Sequence, residues 1–351
     1  MNATAPFVSV IVPTYNREGI LVATLRYLAQ QDYPRFEIIV VDQTRTHEPE
    51  TVIQLNKLIQ AGTIRYFRLD QPSLPNARNF GTQQAKGEIV LFVDDDIIPV
   101  PCLIATHAAA YNAPDIGGVA GRRTFPIEPV PPESPTPVGM IARNSTHVAN
   151  FSATMPQHSV EWAPGCNMSF RRHLITAVGG FDAMFVGSAV YEDVEFCFRL
   201  RRYGYRIVFA PEAHIVHLQQ IAGGCGSRRR SPRFYYFVNH NALLFALRHL
   251  PRRDLPRVVA FRTLMGLMLA CEYGAPQMAL TIIPAAAAAL RTHLRTAPRW
   301  KGGGPASADQ RQVIGQLNKQ QTTQASIDFT HNAKPTSVGL GGRGQGSAVS
   351  S

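Results

Sequence analysis

The chain has 351 residues, 45% of them hydrophobic, which suits one large core plus an appendage and excludes disorder throughout. Its net charge of +11 is uneven: residues 1–220 hold 18 basic and 20 acidic side chains, residues 221–351 hold 17 and 4. Five cysteines, at 102, 166, 197, 225 and 271, form no C-x-x-C pair; their odd number argues against a disulfide scaffold, and they read as structural thiols of a reducing compartment.

In chain order, Phe7 to Val12 is a short apolar run closed by Pro13, a buried strand. Ile20, Leu21, Leu25 and Leu28 then recur at helical spacing. Phe36 to Val41 predicts a second strand, Thr51 to Ile59 a helix, and Ile64 to Leu69 a third strand. Leu74 to Lys86 predicts another helix, and Ile89 to Val93 a buried strand that ends in three aspartates. Such alternation implies an α/β fold with a mainly parallel sheet, in which ligands gather at the carboxyl ends of strands. Asp42 and Asp94 fall at such ends. Prolines at 126, 129, 131, 132, 135 and 137 make Phe125 to Val138 a surface loop. A helix follows around Glu192 to Tyr203, then a strand at Ile207 to Phe209. Phe234 to Leu290 reads as aromatic and aliphatic helix, and residues 301–351 as a disordered tail rich in glycine, glutamine and serine. The expected division is 1–220, 221–300 and 301–351.

The strongest chemical signal is Asp94-Asp95-Asp96. Adjacent carboxylates repel one another unless a cation compensates, and a hard divalent ion suits them while leaving positions for phosphate oxygens. A solvated acidic turn capping the next helix is the alternative. An aspartyl-phosphate phosphatase is disfavoured by Ile98 where a hydroxyl residue is wanted, and the first strand leads into Pro13-Thr14-Tyr15-Asn16-Arg17 with no dinucleotide-binding glycine pattern.

The series Val10 to Arg17, Ile39 to Asp42, Ala77-Arg78-Asn79-Phe80-Gly81 and the triplet resembles the donor half of family 2 glycosyltransferases. Gly165-Cys166-Asn167-Met168, Gly179-Gly180-Phe181-Asp182, Glu192-Asp193 and His217 resemble the acceptor half, in the family's order over roughly residues 7–250. The resemblance implies a GT-A sandwich and inverting transfer of a sugar from a UDP-, GDP- or dTDP-linked donor to a hydroxyl of a saccharide or lipid-linked acceptor. It places Pro13, Thr14 and Asn16 at the nucleotide, Asp42 at the base, Arg78 at the diphosphate and Asp94 at the ribose. Asp96, with His217 as a possible second ligand, would hold Mn2+ or Mg2+, and Asp95 is ambiguous between ribose and metal. Asp193 would be the catalytic base, its pKa raised by Glu192 and Glu195 alongside. Trp162, Gly165, Asp182 and Glu192 would line the acceptor or sugar pocket, with Trp162 either an apolar platform or core. The chain departs from many relatives in reading Asp42-Gln43-Thr44-Arg45 after the second strand, which leaves uracil specificity open.

The cationic second half suggests an anionic partner, a membrane leaflet rather than nucleic acid, because aromatic and aliphatic residues interleave the arginines and no nucleic-acid motif occurs. Pro232 to Leu250 resembles a helix lying on a bilayer or packing on the catalytic domain. Tyr273 to Leu290 is uncharged for 18 residues, at the lower limit for a span, yet it holds Pro276 and Pro284. With no signal core at residues 1–6, the expected location is cytoplasmic and peripheral on the membrane. Gly223, Gly224 and Gly226 suggest a loop that closes over donor. Rival readings are an inactive sugar-binding or assembly subunit and a sugar nucleotidyltransferase, whose glycine- and arginine-rich N-terminal loop is missing.

Overall fold

A computed structural model describes residues 5–127, 137–220, 223–224 and 231–296. Prolines 129 to 135, Cys225, Gly226, the arginines at 228–230 and the 301–351 tail lie outside them.

Four strands, β1 (Val8–Thr14), β2 (Phe36–Asp42), β3 (Arg65–Arg68) and β4 (Ile89–Val93), run parallel in the order β3-β2-β1-β4. Helices α1 (Gly19–Ala29), α2 (Pro49–Gln60) and α3 (Leu74–Gln84) make the crossovers. Side chains alternate across the sheet. Val10 and Val12 enter one apolar cluster with Leu21 and Leu25 of α1, while Ile11 enters the other with Ala77 of α3. Both faces are therefore covered, which is why these strands read as unbroken apolar runs.

Beyond β4 the chain adds β5 (Ile97–Pro99), α4 (Leu103–Ala109), β6 (Ile116–Thr124) and the short hairpin β7 (Met140–Ile141) and β8 (His147–Val148). Next come β9 (Gln157–Val160), β10 (Asn167–Arg171), α5 (Arg172–Ala177), α6 (Glu192–Arg202) and β11 (Arg206–His217). The sheet continues from β4 through β10, β6 and β11 to β5, with β9 also on β11. Antiparallel β10 sits between β4 and β6 and carries the residues before it to the carboxyl edge of β4. The strand expected at Ile207 to Phe209 extends to His217, bent by a register shift between Ala210 and His214.

Four helices follow: α7 (Pro232–His249), α8 (Leu255–Tyr273), α9 (Gln277–Leu280) and α10 (Ile282–Thr296). Between the bilayer and packing readings of α7, the contacts decide for packing. Residues Val238 to Ala246 are buried, Phe245 meets Tyr191 and Phe198 with ring centroids 5.4 and 5.0 Å apart, and Arg248 pairs with Asp182. Tyr273 to Leu290 is not one helix, because Gly274 adopts φ +59° and ends α8 before Pro276. Among the described residues, no helix is long and apolar enough to cross a membrane.

Candidate active site

Strand register brings distant residues to the end of β4. Asn167 lies opposite Val93, so one further step of the antiparallel register sets Cys166 across from Asp94. Ile97 of β5 pairs with His217 of β11, and the Leu218 N–H donates to the Asp96 carbonyl at 2.9 Å. His217 Nε2 consequently lies 3.0 Å from Asp96 Oδ1 and 3.5 Å from Asp94 Oδ2.

Part of the triplet's charge is offset from within the protein. Arg17 Nε lies 3.2 Å from Asp95 Oδ1, its Nη2 lies 3.2 Å from Asp96 Oδ2, and the Gln220 N–H donates to Asp96 at 2.9 Å. Burial raises the Asp95 pKa to about 7 despite the Arg17 charge. Asp96 moves the other way: burial would raise it, but the His217 hydrogen bond, the Gln220 N–H and Arg17 together hold it low. Burial would lower His217, yet hydrogen bonds with Asp96 and Cys166, and then the nearby Asp94 charge, hold it up at about 10. Asp96 is thus sequestered at 2% side-chain exposure, whereas Asp94 keeps 32%. Among the described residues, the group with metal-ligand spacing is Asp94, Cys166 and His217, whose ligand atoms all lie within 4.8 Å of one another. Asp96 and His217, the expected metal pair, lie 3.0 Å apart, and Asp94, expected at the ribose, is the accessible carboxylate beside His217. Arg17 and Cys166 were missed as site residues. Arg17 stands in the motif after β1, and its cue was a cation one residue past a strand-end pocket.

From Asp94 a chain of contacts runs to Asp193. Arg78 Nη2 lies 4.0 Å from Asp94 Oδ1 and donates to the Gly165 carbonyl at 2.9 Å, and the Gly165 N–H donates to Asp193 Oδ2 at 3.0 Å. Gly165 is needed for this approach, since a Cβ there would stand 2.6 Å from Arg78 Nη2. Arg78 is ion-paired with Glu192 and lies beside the Phe92 and Phe181 rings, its side chain 2% exposed. Arg78, expected at the diphosphate, is thus buried and paired with Glu192, expected in the acceptor or sugar pocket. Asp193 is the second residue of α6, after Glu192 and the N-cap Tyr191, which adopts φ 77°. Its pKa is raised, chiefly by burial and against the lowering effect of Arg78 and the Val194 and Gly165 N–H groups. Crowding by Glu192 and Glu195, the expected cause, is not among the causes: Glu192 pairs with Arg78 and Glu195 with Arg199.

Three further assignments change. Asp42 is fully buried at the end of β2, with its oxygens taken by the Thr44 N–H at 2.7 Å, His47 Nε2 at 2.5 Å and the Tyr66 hydroxyl at 2.7 Å. Asp42, expected at the base, therefore has its carboxylate engaged within the protein, and the cleft nearby is lined by Gln43, Thr44, Arg45, Arg68, Leu69 and Asp70. Trp162 belongs to the core, 5% exposed, with Nε1 donating to the Met140 carbonyl and the ring edge-on to Phe151. Asp182 accepts from the Met184 N–H and pairs with Arg248, anchoring α7. Pro13 and Thr14 end β1 in the buried interior opposite Val41 and Asp42, and exposed Asn16, at φ 52°, donates its N–H to Thr44 Oγ1. Gly224 donates to the Tyr15 carbonyl, so the loop after His217 already rests on this edge.

A two-faced, mainly parallel sheet with an acidic triplet at the end of its central strand defines a GT-A type fold. Residues 9–174 match the sequence model of Glycosyl transferase family 2. The chain is 28% identical over 224 residues to the O-antigen biosynthesis protein RfbC of Myxococcus xanthus, covering 60% of this chain and 17% of that protein. Over 93 residues it is 39% identical to the GalNAc(5)-diNAcBac-PP-undecaprenol beta-1,3-glucosyltransferase of Campylobacter jejuni, covering 26% of this chain and 30% of the other. It thus spans less than a third of either relative. The mannosyltransferase PcManGT of Pyrobaculum calidifontis, solved with GDP-Man and Mn2+, shares the fold with a TM-score of 0.51 at 19% identity, covering 94% of this chain and 84% of its own.

Proposed function

We propose that the chain transfers a hexosyl group from a nucleotide-diphosphate sugar to an acceptor hydroxyl, with inversion, in the synthesis of a polysaccharide or glycolipid. The observation that carries this reading is the continuous line Asp94, Arg78, Gly165, Asp193, which joins an acidic strand end to a desolvated carboxylate. The nucleotide would lie over Thr14, Asn16 and the cleft between Gln43 and Arg68, at the carboxyl ends of β1 to β3.

A divalent cation fits the donor set. Asp94, His217 and Cys166 offer ligand atoms within 4.8 Å of one another, His217 Nε2 lies 3.5 Å from Asp94 Oδ2, and Asp94 is open to solvent. Asp94 and His217 would hold Mn2+ or Mg2+, which supplies positive charge to a departing diphosphate. The chain's own residues do the rest. Asp193 accepts the proton of the attacking hydroxyl, and its raised pKa makes it a stronger base than a solvated aspartate. Arg78 holds the Gly165 peptide so that Asp193 keeps its orientation. Arg17 holds Asp95 and Asp96 in place. With the acceptor oxygen as direct nucleophile, a single displacement inverts the anomeric centre.

An acceptor at an anionic membrane belongs to the same reading, and is supported by the outer faces of α8 and α10. Leu264, Leu267, Ile283 and Leu294 are exposed there, with Ile283 at 68% and Leu294 at 73%, on helices that also carry exposed Arg257, Arg291 and Arg295. Co-sedimentation with anionic but not zwitterionic vesicles, weakened by salt, is the expected result; equal binding to neither vesicle removes the membrane from the account.

The decisive assay follows nucleoside diphosphate release from sugar nucleotides with Mn2+. Release that depends on acceptor, and that falls roughly 100-fold or more in Asp193→Asn with unchanged circular dichroism, supports the transferase. Pyrophosphate exchange would instead indicate a nucleotidyltransferase, and no turnover with any donor an inactive binding subunit.

A further inference from the structure

We infer that Cys166 is a thiolate ligand of the site's cation, so that the protein donor set is carboxylate, imidazole and sulfur, selecting a borderline or soft divalent ion over Mg2+. This rests on the proposed cation site and goes further in naming its third ligand and its metal class. Three observations carry it. The β10 and β4 register pairs Asn167, just after Cys166, with Val93, just before Asp94, and the β11 and β5 register pairs His217 with Ile97, so the sheet brings the three residues to one edge. The sulfur, one Asp94 oxygen and one His217 nitrogen lie within 4.8 Å of one another, a spread that a single ion can gather with small rotamer changes. Cys166 is 5% exposed, whereas the Asp94 side chain keeps 32%, so one side of the group stays open for donor oxygens.

The chemistry sets the selectivity. Mg2+ takes oxygen ligands and gains little from sulfur, while Mn2+, Co2+, Zn2+ and Cd2+ gain progressively from nitrogen and thiolate. To bind, the Cys166 thiol and the protonated His217 imidazole each give a proton to solvent and a lone pair to the ion; no oxidation occurs. The other described cysteines stand apart from this group: Cys197 is buried on α6, and Cys102 and Cys271 are exposed. A structural thiol would contribute only packing at its position, and Cys166→Ser would then leave metal preference unchanged.

The test titrates the purified full chain with Co2+ and Cd2+, in the presence of a nucleoside diphosphate, and follows absorption. The expected result is an intense near-ultraviolet sulfur-to-metal band on metal addition, with visible Co2+ bands. In Cys166→Ser the sulfur band disappears, Cd2+ affinity falls about tenfold or more, Mg2+ affinity changes less than about twofold, and the melting temperature of the metal-free protein is kept. Visible Co2+ bands that His217→Ala removes, without any sulfur band in the unaltered protein, would overturn the thiolate while leaving the cation site standing. A sulfur band that persists in Cys166→Ser would assign it to another cysteine and also overturn the inference. Absence of any Co2+ or Cd2+ binding would instead sink the cation site itself. Cys166→Ala serves as the second variant should the serine disturb folding.

Discussion

Replacing Arg78 by Met separates a buried brace from a surface phosphate contact. Arg78 and Glu192 are 1% and 3% exposed and ion-paired, and Arg78 also donates to the Gly165 carbonyl. Removing one member of a buried pair strands the other charge, at a cost of about 3–5 kcal/mol. A methionine fills the slot beside Phe92 and Phe181, so little of that cost comes from a cavity. Arg78→Met should therefore lose about 3–5 kcal/mol in urea unfolding followed by circular dichroism. Arg78→Met combined with Glu192→Gln should recover about half of it, because no buried charge is left unpaired. The two changes then fail to add, the double variant losing less than Arg78→Met alone. A loss below about 1 kcal/mol in the single variant, or simple additivity in the double one, would refute the buried-brace assignment.

Other outcomes follow from the same contacts. Because the Asp193 pKa is raised, transfer should decline on acidification while the pH is still above the ordinary aspartate value of 3.8; a profile flat down to that value removes Asp193 as base. Glu195 is held down at about 2, against burial, by Arg199 and His249. Its stabilising contribution is full above its unfolded value near 4.5 and is lost as the pH falls towards 2, so Glu195→Gln should flatten the acid limb of the stability curve. Gly187, at φ +67°, has the Phe237 ring 2.2 Å from where a Cβ would stand. Gly187→Ala should cost about 1–3 kcal/mol by pushing α7 off its seat, read as a lower urea midpoint.

How much could be read in advance differs by element. β1, β2 and β4 were legible because a parallel strand buried on both faces must be apolar along its length, and Asp42 and Asp94 were placed at strand ends by chain order alone. The bend that carries β11 on to His217 leaves no such trace, since it depends on a register shift against β6. Trp162 illustrates the ambiguity of large aromatics: the same ring serves as platform or core, and its surroundings, here Phe151 and Met140, decide.

By itself the sequence determined the succession of strands and helices, the acidic strand end, the family motifs and the cationic bias of the second half, all of which are local or compositional. Tertiary structure alone decided which charges meet. Arg17 reaches Asp95 and Asp96 across 78 and 79 positions, His47 and Tyr66 occupy Asp42, Arg78 turns inward to Glu192, and Cys166 comes to rest opposite Asp94. The reason is physical: partner choice depends on strand register between remote segments and on how far each group is removed from water, and neither is written in any one stretch of chain.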